Sequence, residues 1–351
     1  MRILVTGGAG YIGSVTVKEL QRLGYEVVVF DNLVCGYKQA VSTKLIIGDL
    51  LDKELLNKSL AKEEFDAVIH FAAYALAGES MRKPFEYFQN NVQGGLNLLE
   101  FMRRKNIGKI IFSSTCAIYG TPKKLPVTEN AEKKPESVYG ESKLMVEKLL
   151  YWYDKIYGIK HISLRYFNAA GASLDGLLGE DHRPETHIIP LAIKTALGQN
   201  SQFELYGNNY ETPDGTCIRD YIHVEDLAVA HRLALEKLEK SGESDNFNLG
   251  TGRGYSNLEV LEMIKKVTGV DFLVKIAPRR PGDPPVIFAD NRKAEKELGF
   301  VPKYSDLKTI VETAWRWHKK LKIENDPFNK TQAFGSEAQA RRGHPEQSRT
   351  D

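Results

Sequence analysis

The stretch Gly7-Gly8-Ala9-Gly10-Tyr11-Ile12-Gly13 follows a short apolar run, Ile3–Thr6, and opens an amphipathic segment. It fits G-x-G-x-x-G from Gly8 and G-x-x-G-x-x-G from Gly7. Glycines at these spacings permit a tight strand-to-helix turn and let backbone N–H groups and a helix N-terminus approach a pyrophosphate. A chain that starts in this way is committed to a β-α-β unit, and so to a parallel sheet. Alone the match is weak, because a structural glycine turn would serve as well. Here Asp31 ends the next apolar run, 18 residues beyond Gly13. A carboxylate there can accept hydrogen bonds from both ribose hydroxyls of NAD and would repel the extra phosphate of NADP.

The β-α alternation continues through the first half. Apolar runs predict strands at Ile3–Thr6, Glu26–Phe30, Leu45–Ile47, Ala67–Phe71, Lys109–Ser113 and Ile162–Phe167. Helices are expected from about Tyr11 to Leu23, Asp52 to Leu60, Asn90 to Arg104 and Tyr139 to Tyr157. After Asn168 the rhythm gives way to a loop rich in Gly, Asp and Pro, which predicts the edge of a smaller second domain. Segments near Asp220–Leu235 and Asn246–Gly250 are expected to return to the first domain. From about Asn325 the chain is polar and carries too few apolar side chains to offset its ordering entropy, so residues 325–351 are expected to form a disordered tail.

Composition removes several function classes. The 351 residues carry a formal net charge of +2, with acids and bases interspersed, which gives no footprint for nucleic acid or an anionic membrane. The three cysteines, Cys35, Cys116 and Cys217, are odd in number and far apart. No disulfide framework or thiolate zinc site is expected, nor any other metal, and the pattern fits a reducing cytoplasm. No run approaches the ~20 apolar residues of a membrane helix, and the first residues have no signal-peptide core.

Tyr139-Gly140-Glu141-Ser142-Lys143 places a phenol and an ammonium on one helical face. A nearby cation favours phenolate, which turns tyrosine into a usable base. Three other Tyr-x-x-x-Lys spacings occur, at Tyr119/Lys123, Tyr151/Lys155 and Tyr304/Lys308. Pro122 interrupts the first, Tyr304/Lys308 lies far from any cofactor element, and Tyr151/Lys155 falls more than three turns further along its helix. Tyr139/Lys143 opens its helix at the sheet edge that carries the glycine turn, after a strand ending Ser113-Ser114-Thr115. In isolation, a packed tyrosine and a solvated lysine would be the better reading. Beside a nucleotide cradle and a hydroxyl, the pair forms a hydride-transfer site.

Gly7–Gly13, Asp31, Ser113–Thr115 with Tyr119-Gly120, and Tyr139–Lys143 together resemble the extended short-chain dehydrogenase/reductase superfamily. Further stretches resemble its UDP-glucose 4-epimerase family: Asp31-Asn-Leu33, His70-Phe-Ala-Ala73, Gly78-Glu-Ser80, Asn90-Asn-Val92, Arg165-Tyr-Phe-Asn168, Gly179-Glu-Asp181, Arg219-Asp-Tyr-Ile-His-Val224, Asn248-Leu-Gly250 and Arg279-Arg-Pro-Gly-Asp283. The similarity spans about Met1 to Lys319. It implies an α/β fold with a Rossmann-type doubly wound parallel sheet and a smaller C-terminal α/β substrate domain. NAD would occupy residues 1–168, with returns around 216–250, and a UDP-sugar residues 169–324. A homodimer through the helices at Asn90–Arg104 and Tyr139–Tyr157 is expected.

By the same resemblance, Tyr139, Lys143 and Thr115 are the catalytic residues. Tyr139 takes the sugar 4-OH proton, Thr115 binds the 4-oxygen, and Lys143 holds the nicotinamide ribose. Tightly held NAD⁺ is reduced and reoxidised in one turnover through a 4-keto sugar. Cofactor contacts fall on Gly7, Gly10, Tyr11, Ile12, Gly13, Asp31, Asn32, Asp49 and Leu50. Others fall on Phe71, Ala72, Ala73, Asn90, Phe167 and the catalytic three. Substrate contacts fall on Thr115, Asn168, His187, Ile188, Arg219, Arg280 and Asp283, with the two arginines on the diphosphate.

Four departures matter. Thr115 replaces the family's common serine and keeps the hydroxyl. Ala75 stands where some relatives have lysine. His187 replaces an asparagine and reads as a hydrogen-bonding loop residue. Ile287 occupies a sugar-pocket position of variable size, which leaves N-acetylated sugars open. Thr115-Cys116-Ala117 lacks the carboxylate that nucleotide-sugar dehydratases and decarboxylases place there. UDP-N-acetylglucosamine and UDP-pentose 4-epimerases use the same residues and stay open, as does a non-catalytic NAD-binding protein.

Overall fold

A computed structural model describes residues 1–280 and 283–325. The expected tail beyond position 325, and Pro281-Gly282 within the late arginine motif, lie outside the described residues. The main sheet has seven parallel strands: β1 (Arg2–Thr6), β2 (Glu26–Asp31), β3 (Lys44–Ile47), β4 (Ala67–His70), β5 (Lys109–Thr115), β6 (Lys160–Tyr166) and β7 (Asp245–Leu249). Their order is β7-β6-β5-β4-β1-β2-β3. This is the doubly wound Rossmann arrangement, extended by one strand. The six apolar runs all form strands, with ends within two residues of expectation.

The strands read as continuous apolar runs because both faces of the sheet are covered. The main helices are α1 (Tyr11–Arg22), α2 (Gly94–Arg104), α3 (Val138–Tyr157), α4 (Ile188–Ala196), α5 (Val224–Ser241), α6 (Asn257–Thr268) and α7 (Leu307–Asn325). Ile3, Val5, Val29 and Ile69 pack against Val17 and Leu20 of α1 and Leu227 and Leu235 of α5. Leu4, Val28, Val68 and Ile110 pack on the other face against Leu98 and Met102 of α2 and Val146 and Leu150 of α3. The period-2 alternation of strand side chains assigns each residue to its face.

The helix expected from Asn90 instead begins as a π-helical segment, Phe88–Gln93, which continues into α2. Buried Asn91 accepts from the Tyr74 N–H at 2.8 Å and donates to the Tyr74 carbonyl at 3.0 Å and to Ser142 Oγ at 2.9 Å. Those three bonds reward the wider turn, a distortion that recurs at functional sites. In the second half a third core cluster gathers Ile189 and Ile193 of α4, Val260 and Ile264 of α6, and Ile310 and Val311 of α7. Two short parallel strands, Phe203–Tyr206 and Val274–Ala277, pack there. Among the described residues no helix is long and apolar enough to cross a membrane.

Candidate active site

A cavity of about 1380 Å³ opens at the carboxyl ends of β1, β2, β4, β5 and β6, where open α/β sheets bind ligands. It exceeds the ~300–1,000 Å³ of an ordinary ligand pocket, room for a cofactor and a substrate together. The glycine turn forms one wall. Gly7 has φ +75°, and a Cβ there would lie 2.4 Å from the Ala72 nitrogen. A Cβ on Gly13 would lie 2.2 Å from the Gly7 carbonyl oxygen, so only glycine lets α1 pack this close to β1. No side chain caps α1, whose N-cap is Gly10, and its N-terminus faces the cavity with positive dipole character.

Asp31 is buried on this wall and accepts from Ala9 N at 3.0 Å and Leu33 N at 2.8 Å, one bond per oxygen. Each oxygen keeps a lone pair for a ligand hydroxyl. Burial raises its pKa against those two backbone bonds. Asn32 donates to Asp49 at 2.9 Å, which fixes both beside it. Tyr11, Ile12, Leu50, Phe71, Ala72, Ala73, Asn90 and Phe167 line the same cavity.

Of the four tyrosine–lysine spacings, only Tyr139/Lys143 reaches the cavity wall. Tyr119 is buried in hydrogen bonds to Asn248 and Arg165, whereas Tyr151 is exposed with Lys155 over its ring. Tyr304 is fixed through its N–H to Asp226, and Lys308 pairs with Glu312. Ser137 caps α3 by accepting from Gly140 N at 3.1 Å, and so sets Tyr139 in the first turn. Tyr139 and Thr115 both line the cavity, and the Thr115 hydroxyl accepts from Ala117 N at 3.1 Å. Buried Lys143 donates to the Ser113 carbonyl at 2.8 Å and lies 6.0 Å from the Tyr139 ring centroid.

Desolvation drives both groups toward their neutral forms. It raises the Tyr139 pKa well above the ordinary phenol value, with the nearby Thr115 hydroxyl acting against it. It lowers Lys143 to about 7. The sequence-based expectation that Lys143 depresses the Tyr139 pKa is therefore outweighed in the protein alone, because a buried phenolate costs more than a partly discharged amine can return.

A buried network holds this corner. Arg165 forks onto Glu147 of α3 at 2.9 and 2.7 Å, and Ser114 of β5 donates to Glu147 at 2.6 Å. Arg165 also donates to the Tyr119 hydroxyl at 2.9 Å, which donates to Asn248 at 2.7 Å. The Arg165 and Asn248 motifs thus tie β5, β6, β7 and α3 together beneath Tyr139 and Lys143.

At the far end, Arg219 Nη2 lies 3.5 Å from Asp283 Oδ1, and Arg280 stacks 4.0 Å from the Tyr206 ring centroid. Asn168, His187, Ala75 and Ile287 are on the wall with them. Ile188, the first residue of α4, is half-buried and packs on the third core cluster. Glu180, His182 and Glu185 also line the cavity, and the sequence reading had no role for them. Their signal was the density of ionisable residues at positions 180, 182, 185 and 187.

The model of the NAD dependent epimerase/dehydratase family matches residues 3–250. The chain belongs to that family. This family member is 51% identical over 321 residues to the UDP-glucose 4-epimerase of Lactobacillus helveticus, covering 91% of this chain and 97% of that one. The UDP-glucose 4-epimerase of Brucella ovis in complex with NAD superposes with a TM-score of 0.87 at 49% identity, covering 90% of this chain and 97% of that one. The Bifidobacterium longum enzyme in complex with NAD⁺ and UDP gives a TM-score of 0.87 at 39% identity, covering 91% and 98%. NAD is the family's cofactor, and the residues present fit it. The Gly7–Gly13 turn is a cradle that any Cβ at Gly7 or Gly13 would disrupt, and Asp31 stands ready for a ribose.

Proposed function

We propose that the protein interconverts UDP-glucose and UDP-galactose by oxidation and re-reduction at sugar C4. One observation carries this reading: Tyr139, Thr115 and Lys143 share a single cavity with Arg219 and Arg280. That brings proton-transfer chemistry and diphosphate recognition into reach of one ligand. Gly7, Gly10, Tyr11, Ile12, Gly13, Asp31, Asn32 and Asp49 would hold NAD. Bound NAD supplies the hydride acceptor and then the hydride donor at C4, and its oxidised form adds a positive charge that counters the desolvation of Tyr139.

Tyr139 takes the proton of the sugar 4-OH as the C4 hydrogen leaves with its electron pair, giving a 4-keto sugar. Thr115 donates a hydrogen bond to that oxygen and holds it beside Tyr139. Lys143, with a pKa lowered to about 7, exchanges protons easily at neutral pH and directs its amine toward the nicotinamide ribose. After the planar keto sugar turns over, C4 regains hydride on its other face and Tyr139 returns the proton, so the reaction is redox-neutral. Arg219 and Arg280 keep the diphosphate anchored while the sugar rotates, which prevents escape of the ketone.

Residues 1–168 with returns around 216–250 would carry the cofactor, and residues 169–324 the nucleotide sugar. A homodimer through α2 and α3 is supported by the exposed Tyr151, Trp152, Ile156 and Tyr157 of α3, an apolar face of unusual density for a lone surface helix. The unpaired cysteines suit a reducing cytoplasm. Buried Ile287 on the sugar wall is of intermediate size, which favours testing N-acetylated substrates.

Purified protein is expected to carry NAD and to convert UDP-galactose to UDP-glucose without added cofactor. Absence of conversion at saturating substrate, with NAD bound and the fold intact, would overturn the reading. Parallel assays with UDP-N-acetylglucosamine and UDP-xylose decide the breadth of the sugar pocket.

A further inference from the structure

The loop before α4 concentrates four ionisable side chains, Glu180, His182, Glu185 and His187, with one polar atom of each within 4.8 Å of the others. The Glu180 side chain is only 6% exposed. Its Oε1 makes a close hydrogen bond with His187 Nδ1 and lies 3.0 Å from His182 Nδ1. The Glu185 side chain, 3% exposed, accepts from Thr186 N at 2.7 Å and His187 N at 2.9 Å, and among the described residues its Oε2 has no hydrogen-bond partner. His187 occupies the N-cap position of α4 without a side-chain capping bond, is half-exposed, and lines the cavity with Arg280. With Nδ1 committed to Glu180, Nε2 is the ring's remaining nitrogen for a ligand.

We propose that Glu180 is a positioning residue that holds His187 by Nδ1, so that the imidazolium presents Nε2–H to the diphosphate of the nucleotide sugar as a third cation beside Arg219 and Arg280. The proposal rests on the UDP-sugar reading above. A carboxylate behind an imidazole fixes its orientation and stabilises its charged form. The groups facing this ring bear that out. Burial opposes the charge, but Glu180 and then Glu185 outweigh it, against a smaller repulsion from Arg280, and raise the His187 pKa to about 9. The same contacts hold Glu180 below the usual carboxylate range despite its burial. His182 lies edge-on to the His187 ring at 5.5 Å, and Tyr11 of α1 and His318 of α7 sense Glu180 from the flanking elements. A metal cation is the less favoured occupant, since it would have to displace the proton shared by Glu180 and His187 and sit near Arg280.

The test is calorimetric titration of the NAD-loaded enzyme with UDP, and with uridine by competition. It compares wild type, Glu180→Gln, Glu180→Asp, His187→Ala and the Glu180→Gln/His187→Ala double variant. Glu180→Gln and His187→Ala should each weaken UDP about tenfold, the scale of one charge-assisted hydrogen bond, and leave uridine unchanged. The double variant should be no weaker than His187→Ala, and Glu180→Asp should recover part of the loss. Wild-type UDP affinity should fall as pH passes about 9, a step that His187→Ala lacks. Half-exposed His187→Ala keeps the test open should Glu180→Gln fail to fold. Full UDP affinity in His187→Ala overturns the proposal, as does an equal loss of uridine binding. Stoichiometric micromolar Zn²⁺ binding by wild type, absent from Glu180→Gln, also overturns it by making the cluster a metal site. Failure of wild type to bind UDP at all removes the underlying UDP-sugar reading instead, and the proposal falls with it.

Discussion

Tyr139 and Lys143 sit four residues apart on α3, yet burial makes their chemistry. Tyr139→Phe removes the proposed proton acceptor and should lower kcat by about 10²–10⁴-fold with UDP affinity intact. Steady-state kinetics should show Tyr151→Phe, on the exposed face, within twofold of wild type. Equal loss in both would mean the wrong tyrosine has been chosen. Lys143 makes a separate, thermodynamic prediction. Its folded pKa of about 7 lies below the ~10.4 of an unfolded lysine. Between those values the unfolded chain holds the extra proton, so stability rises with pH across the window. Lys143→Met removes that dependence. Denaturant unfolding of cofactor-free protein should find the variant's advantage over wild type largest near pH 7, on the order of a few kcal/mol, and shrinking toward pH 10. A pH-independent difference would contradict the burial argument. The variant should also bind NAD more weakly.

At the scale of elements, α3 works because it is tied at both depth and mouth. Ser137 caps its start, while Glu147, about one turn beyond Lys143, locks it to Arg165 of β6 and Ser114 of β5. Glu147→Gln leaves the Arg165 charge buried and unpaired and should cost about 3–5 kcal/mol of stability. Replacing both partners, Glu147→Leu with Arg165→Met, should cost much less; chemical denaturation of the three variants measures the difference. A single loss no larger than the double would show that the pair is not a structural unit. The strands, and the helices at α1 and α3, were legible from apolar runs, the glycine turn and the Tyr139/Lys143 spacing. The π-helical turn at Phe88–Gln93 was not, because what rewards it is Asn91 reaching Tyr74 and Ser142, partners 17 and 51 residues away.

At the scale of the molecule, one cavity is lined both by the carboxyl edge of the sheet and by residues of the second half. The exposed aromatic face of α3 adds a prediction about assembly. Light scattering should find a dimer, and Trp152→Glu, at a side chain left open to solvent, should produce a folded monomer. A dimer unaffected by that charge would place the interface elsewhere.

The sequence by itself determined the sheet, the dinucleotide cradle and the choice of one tyrosine–lysine pair among four. These follow from local periodicity, from steric demands that only glycine meets, and from the carboxyl-edge rule of parallel sheets. Tertiary structure decided the rest. It packed half-buried Ile188 against the third core cluster, while its neighbour His187 lines the cavity. It set the pKa directions of Tyr139 and Lys143 through desolvation, which no spacing encodes. It also brought Glu180 onto His187 and made a surface-looking loop part of the cavity wall. Burial and long-range hydrogen bonding are properties of the packed chain, and they exist only once distant segments have met.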